Sequence, residues 1–230
     1  MGFTGRILGW LQSYLSDRKF QTLYRGKLSK IEMSKSGVPQ GGILSPFLFN
    51  ALMSDLPRLQ DITMTIFADD IAVCATGIDV NRVVSKLQHQ LNLIQKWCLE
   101  WGQRINPSKT KGMHFYDLYE NSLPISVNGI NIEYVNSFKF LGITLDAPKL
   151  DWHMHLNKLK FDCNKRINLL KSISHHHWGA DKKTLLMLYK TLIRSKLDYG
   201  CQFYNGASRT LLNPLEVIQN QSLASYMYWT

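Results

Sequence analysis

The sequence predicts an α+β fold in two parts: an antiparallel sheet backed by helices over residues 1–148, then an all-helical part over residues 149–230. Two observations carry the prediction. Up to Asp146, short runs of alternating or β-branched apolar residues recur between turn signals, with one long helical stretch among them. From Asp151 onward, apolar residues step by three and four, and no strand signal interrupts them.

Taken in order, Ile7, Leu8, Leu11, Tyr14 and Leu15 recur at helical spacing, so Thr4 to Arg25 reads as an amphipathic helix. Asp17, the only acid before Glu32, reads as a surface charge paired with its neighbours Arg18 and Lys19. Next, Gly37, Pro39, Gly41 and Gly42 make a loop of little side-chain bulk, through which backbone N–H groups can approach a ligand. Ser45 is placed as a helix N-cap with Pro46 at the first helical position. Phe47, Leu48, Asn50, Ala51, Leu52 and Met53 then read as a mostly buried helix.

Ile62, Met64 and Ile66 alternate with Thr63, Thr65 and Phe67, and Ile71 to Ala75 resumes an apolar run. That pattern predicts two short strands joined by a tight turn at Ala68-Asp69-Asp70. Adjacent carboxylates repel one another. A hard cation that takes oxygen ligands relieves the repulsion; an ordinary solvated Asp-Asp turn is the plain alternative. Val80 to Glu100 reads as a helix with Val83, Val84, Leu87, Leu91, Ile94 and Cys98 inward, and with Trp97 and Trp101 as packing groups.

Ile105 to Phe115 reads as a loop and strand carrying Lys109, either a phosphate-facing cation or a solvated loop lysine. Asn128-Gly129 is a strong hairpin turn between Ile125 and Ile132. Val135 to Leu145 adds a strand pair. Its Gly142 allows either a close backbone approach or a β-bulge.

In the helical part, Leu156, Leu159, Cys163, Ile167 and Leu170 mark one buried face, with Lys158, Lys160, Lys165, Arg166 and Lys171 around it. A second helix is predicted from Asp181 to Leu197, with Leu185, Leu188, Leu192 and Ile193 inward. A third begins near Pro214, with Leu215, Ile218 and Leu223. His175, His176 and His177 are consecutive, point in different directions and lack a nearby acid or cysteine at ligand spacing, so they read as loop residues. His153 and His155 read as polar surface residues.

Composition narrows the partners. In 230 residues, 45% hydrophobic content supports a core rather than disorder, and a formal net charge of +10 favours a polyanion. The four cysteines are far apart with no C-x-x-C pair, which suits a reducing compartment. No secretory signal or membrane-length apolar run is present, so the expected location is intracellular, nucleus or cytoplasm.

The string Ser36 to Asn50, with Val38-Pro39-Gln40-Gly41 and Leu44-Ser45-Pro46, resembles the reverse transcriptase motif whose loop and helix contact template and incoming nucleotide. Phe67-Ala68-Asp69-Asp70 resembles that family's aromatic-Ala-Asp-Asp box. Trp101 to Lys111 resembles the next motif, with its lysine near the nucleotide phosphates, and Ser137 to Asp146 resembles the Phe/Tyr-Leu-Gly primer-grip hairpin. The combination looks most like the reverse transcriptases of non-LTR, LINE-type retrotransposons.

The resemblance implies a partial polymerase palm followed by a helical thumb. It also implies two-metal nucleotidyl transfer by an RNA-directed DNA polymerase using Mg²⁺, with Mn²⁺ as a substitute. Asp69 and Asp70 would be metal ligands, and Lys109 would face the phosphates. Gly37, Pro39, Gln40, Gly41 and Gly42 would bind template or nucleotide, and Phe140, Leu141 and Gly142 would seat the primer. The partners would be an RNA template, a DNA primer and deoxynucleotides, with no membrane. Such a palm has an earlier strand bearing a metal-ligating Asp, where this sequence holds the Thr4–Arg25 segment. The expectation is that this strand is missing and that the chain alone is impaired. The alternatives are a non-catalytic nucleic-acid-binding remnant, an RNA-dependent RNA polymerase, and a protein-interaction fragment.

Overall fold

The computed structural model describes residues 4–34, 36–115, 123–175 and 178–227, with side chains placed as far as residue 222. The chain divides into two compact units, one of Met1–Thr76 with Lys86–Arg104, the other of Gly77–Ser85 with Ile105–Thr230.

The first unit opens with α1 (Gly5–Leu15), which buries no residue and stacks Trp10 on Tyr14 at 5.5 Å. The helix is shorter than the sequence predicts. Asp17, at a left-handed φ of 50°, turns the chain out of it. Lys19 to Met33 then form two nested two-stranded ladders: β1 (Lys19–Phe20) pairs with β4 (Glu32–Met33), and β2 (Leu23–Tyr24) with β3 (Lys27–Leu28). Their inner turn, Arg25-Gly26, has positive φ at both residues, as a two-residue hairpin turn needs.

Helix α2 (Ser45–Met53) follows the glycine loop. It is more exposed than the sequence suggests. Only Ser45 and Met53 are buried, and Phe47 is half exposed. β5 (Thr63–Phe67) and β6 (Asp70–Cys74) pair antiparallel as predicted, with Ile62 and Met64 buried while Thr63 and Thr65 face out.

Helix α3 runs from Val80 to Glu100, as its periodicity predicts, and buries Val84, Ile94, Trp97 and Cys98. Gln90 on the same helix is fully buried. Its amide donates to the Pro57 carbonyl at 2.7 Å and accepts from the Leu59 N–H at 2.8 Å, so both ends of the group are satisfied. This polar clasp holds the segment leading into β5 against α3. Trp97 packs as predicted, but Trp101 is half exposed.

In the second unit, β7 (Lys111–Gly112) pairs parallel with β10 (Glu133–Tyr134), so the described strands form separate two-stranded ladders, one of them parallel, rather than the single antiparallel sheet the sequence predicts. β8 (Ser126–Val127) and β9 (Ile130–Asn131) form the predicted hairpin on Asn128-Gly129, both at positive φ. β11 (Ser137–Phe140) and β12 (Ile143–Asp146) form another hairpin.

The rest is helical: α4 (His153–Ile173), α5 (Lys182–Tyr189) running through a π-helical stretch Lys190–Arg194 into α6 (Ser195–Asp198), α7 (Cys201–Tyr204) and α8 (Arg209–Met227). Asp181 caps α5 by accepting the Thr184 N–H at 3.0 Å. Helix α8 starts ahead of the predicted Pro214, which sits inside it.

The predicted inward face of α4, Leu156, Leu159, Cys163, Ile167 and Leu170, forms one core with Tyr189, Ile193, Leu197, Tyr204, Leu215 and Ile218. Burying a Leu or Ile in such a core contributes about 2 kcal/mol. The side chain of Leu223, and residues His176 and His177, lie outside the described residues.

Candidate functional site

The glycine loop is tied at both ends. At its start, the Arg18 guanidinium donates to Ser34 Oγ at 2.9 Å, the Ser36 carbonyl at 3.3 Å and the Gly37 carbonyl at 2.6 Å. Arg18 therefore serves the loop rather than Asp17. At its end, the Ser45 hydroxyl donates to the Pro39 carbonyl, which also accepts the Gly42 N–H at 3.1 Å. Ser45, the N-cap of the sequence reading, is instead the first helical residue, and Leu44 stands at the cap position without a side-chain bond.

A Cβ on Gly42 would lie 2.7 Å from Ser45 Oγ and 2.8 Å from the Tyr14 hydroxyl, so a larger residue there would have to displace both groups. Gly37 and Gly41 hold left-handed φ values of 82° and 83°. Pro39 is half-buried, and Gln40 lies exposed beside Gly41.

In β5–β6, Phe67 pairs with Asp70, so Ala68 and Asp69 form the turn. Ala68 has a φ of 50°, a left-handed position that costs a residue with a Cβ about 1–2 kcal/mol. Asp69 and Asp70 are both exposed at this tip. Their donor set is two carboxylates with no nitrogen or sulfur, which fits a hard divalent cation in kind. In number it supplies two residues, since no group of three His, Cys, Asp or Glu suited to a metal occurs among the described residues. Phosphate oxygens and water commonly fill the other places of such an ion.

Lys109 is exposed on a loop ordered by Asn106. The Asn106 carbonyl accepts the N–H groups of Lys109 and Thr110 at 3.3 and 3.1 Å, and its side chain accepts the Ser108 N–H at 3.1 Å. In β11–β12, Phe140 pairs with Ile143, which makes Leu141-Gly142 the turn, at φ values of 46° and 85°. Gly142 is thus a turn residue and not a bulge. The Tyr199 hydroxyl donates to the Leu141 carbonyl at 2.6 Å.

The base of this hairpin is stitched to α4. Asp146 Oδ2 accepts the Met154 N–H at 3.0 Å, and the Thr144 N–H donates to His155 Nδ1 at 3.3 Å. His155 was predicted at the surface, but it is buried, as is Asp146. Burial raises the Asp146 carboxyl above the ordinary range and lowers the His155 imidazole below its own, since each loses solvation of its charged form. His153 is exposed, as predicted. Tyr204, tilted against His155 at 5.5 Å, donates its hydroxyl to the Leu197 carbonyl, and burial pushes that phenol up to about 12.

Of the basic residues on α4, Lys158, Lys160, Lys165 and Lys171 are exposed. Arg166 instead turns in, and its guanidinium donates to the Leu192 carbonyl at 2.7 Å. The glycine loop and the Asp69-Asp70 tip belong to the first unit, and Lys109 and the Phe140-Leu141-Gly142 turn to the second. Sequence reading missed Tyr14, Arg18 and Tyr199. Their contacts cross long stretches of chain, and no local pattern announces them.

The family model described as reverse transcriptase (RNA-dependent DNA polymerase) matches residues 2–145. The RNA-directed DNA polymerase from mobile element jockey of Drosophila funebris is 27% identical over 93% of this chain and 24% of its own length. The probable RNA-directed DNA polymerase from transposon BS of Drosophila melanogaster is 29% identical over 96% of the chain and 25% of its own length. The corresponding protein of the X-element from the same species is 25% identical over 93% and 24%. The chain thus spans about a quarter of the length of these curated relatives. No solved structure matches it significantly. Among the described residues no helix is long and apolar enough to cross a membrane. The chain belongs to the reverse transcriptase family, in the branch of the non-LTR, LINE-type retrotransposons.

Proposed function

We propose that this chain is the part of an RNA-directed DNA polymerase that holds a divalent cation, the template and the primer terminus, with a palm over residues 1–148 and a thumb over 149–230. The observation that carries the reading is the pair of exposed carboxylates, Asp69 and Asp70, on a short hairpin tip in a chain of this family. The reaction is attack of a primer 3′-hydroxyl on the α-phosphorus of a deoxynucleotide. One P–O bond to the primer forms, and the bond to pyrophosphate breaks. Asp69 and Asp70 would hold Mg²⁺, or Mn²⁺ in its place, and a bound ion supplies stabilisation of the charge on the attacking and leaving oxygens.

The other groups bind and orient. The clamped loop presents Gln40, with Gly37, Pro39, Gly41 and Gly42 as a low-bulk surface for template or nucleotide. Lys109 offers a solvent-facing cation for the phosphates. The Phe140-Leu141-Gly142 turn offers backbone to the primer, and the exposed lysines of α4 offer charge to duplex phosphates. Two side-chain carboxylates hold a cation weakly, so the chain by itself is proposed to bind primer–template better than it extends it.

Gel-shift and primer-extension assays on a short DNA primer annealed to RNA test this reading. The expected result is binding at low salt that falls steeply as salt rises, with slow extension that Asp69→Asn removes. Absence of binding at low salt would overturn the nucleic-acid reading in favour of an interaction fragment. Robust extension lost in Asp69→Asn would overturn only the impairment.

A further inference from the structure

Resting on the primer-handling reading of the β11–β12 turn, we infer that Tyr199 is a positioning residue that holds this turn in the shape it presents to a primer strand. Three contacts converge on it. The Tyr199 hydroxyl donates to the Leu141 carbonyl at 2.6 Å, across 58 residues of sequence. The ring lies against Gly142, where an added Cβ would sit 3.0 Å from the ring edge. The next residue, Gly200, has a φ of 70°, and a Cβ there would lie 2.5 Å from Ile143 Cδ1 at the start of β12.

Tyr199 and Gly200 therefore form a saddle into which the hairpin tip fits, with glycine on both sides where the surfaces touch. The saddle exists because the chain breaks helix at this point. Tyr199 ends α6 in an extended conformation (φ −67°, ψ 114°), and Gly200 then opens α7 from the left-handed region. A continuous helix would carry the ring past the turn.

The physical reason for such a prop lies in the turn itself. Leu141 is a bulky residue at a positive φ of 46°, a conformation that costs it about 1–2 kcal/mol. A two-residue tip with its carbonyl free would exchange among turn shapes. A hydroxyl on the Leu141 carbonyl and a ring on the Gly142 Cα select one of them before a ligand arrives, which lowers the ordering cost of binding. Tyr199 is still 56% exposed, so holding the turn leaves the outer part of the ring open to solvent.

The test compares Tyr199→Phe, which keeps the ring and drops the hydrogen bond, with Tyr199→Ala. Two readouts are taken on the full chain: amide hydrogen exchange at Gly142 and Ile143, and the dissociation constant for a DNA primer–RNA template duplex. Tyr199→Phe is expected to speed exchange and weaken duplex binding by about twofold to tenfold each, the scale of one hydrogen bond. The thermal midpoint should fall by no more than about 2–4 °C, and Tyr199→Ala should do more in both readouts. Unchanged exchange in both variants would overturn the inference, as would faster exchange with unchanged duplex affinity. Gly142→Val, which distorts the tip directly, separates the two layers. If it weakens duplex binding and the Tyr199 variants do not, only the role of Tyr199 fails. If it leaves duplex binding intact, the primer-handling reading fails.

Discussion

The hairpins β5–β6 and β11–β12 share a plan and differ in their support. Each has short antiparallel strands and a two-residue turn. The Ala68-Asp69 turn contains no glycine, takes one left-handed residue and leaves its carboxylates exposed. The Leu141-Gly142 turn takes two left-handed residues and is gripped from outside by Tyr199 and Gly200, while Asp146 and His155 tie its base to α4. Under the proposed roles, the first tip would offer charged side chains to a small cation and so leave them free, while the second would offer backbone and so gain from having it fixed.

Substitutions at the two tips test that contrast. The largest effect is expected for Gly200→Ala, where the added Cβ meets both a left-handed φ and the Ile143 side chain. About 3 kcal/mol of stability should be lost in chemical denaturation. A loss below about 1 kcal/mol would mean that the second tip is not gripped. At the first tip, Asp69→Asn should weaken Mn²⁺ binding by at least about tenfold in a paramagnetic-resonance titration and leave stability alone. Unchanged affinity would remove Asp69 from the ligand set.

Ala68→Gly should have the opposite sign to Gly200→Ala. Relief of the left-handed strain exceeds the added chain entropy of glycine, for a gain of about 0.5 kcal/mol. A loss there would show that the Ala68 methyl packs productively. The smallest effect concerns Asp146, whose folded-state titration is raised by burial. Its neutral form is favoured in the fold, so its contribution is complete below the ordinary carboxylate range near 3.9 and is lost as pH rises through the folded value. Asp146→Asn should remove that loss, so the stability difference between variant and parent should grow with rising pH and then level off. A flat difference would place the carboxylate in water.

Much of this was legible where periodicity was long. Helix α3 and the buried face of α4 follow from apolar residues repeated over about four turns each, and the Asn128-Gly129 hairpin from turn chemistry alone. The Ala68-Asp69 turn was readable because alternation before it and an apolar run after it bound where the strands stop.

The nested ladders of Lys19 to Met33 were not readable. Their two-residue strands are exposed on both faces and leave no alternation to see. His155 misleads in a different way, because a polar side chain near a helix start reads as solvent-facing until its partner, 11 residues away, is known. Ser45 is the right residue type for a cap, but the helix starts at Ser45 itself, one residue earlier than that reading allows.

The π-helical stretch Lys190–Arg194 carries a consequence for how this helix tolerates change in length. A π turn spends one residue more than an α turn over the same path. Arg166 reaches the Leu192 carbonyl within this stretch and so supplies a donor from another helix. Excision of a single residue from Lys190–Arg194 would let α5 and α6 fuse into one regular helix that keeps its own carbonyls. The Leu192 carbonyl would then be rotated from the place where the Arg166 guanidinium now meets it. The surplus residue and the arginine thus stand or fall as a pair, although 26 positions separate them in the chain.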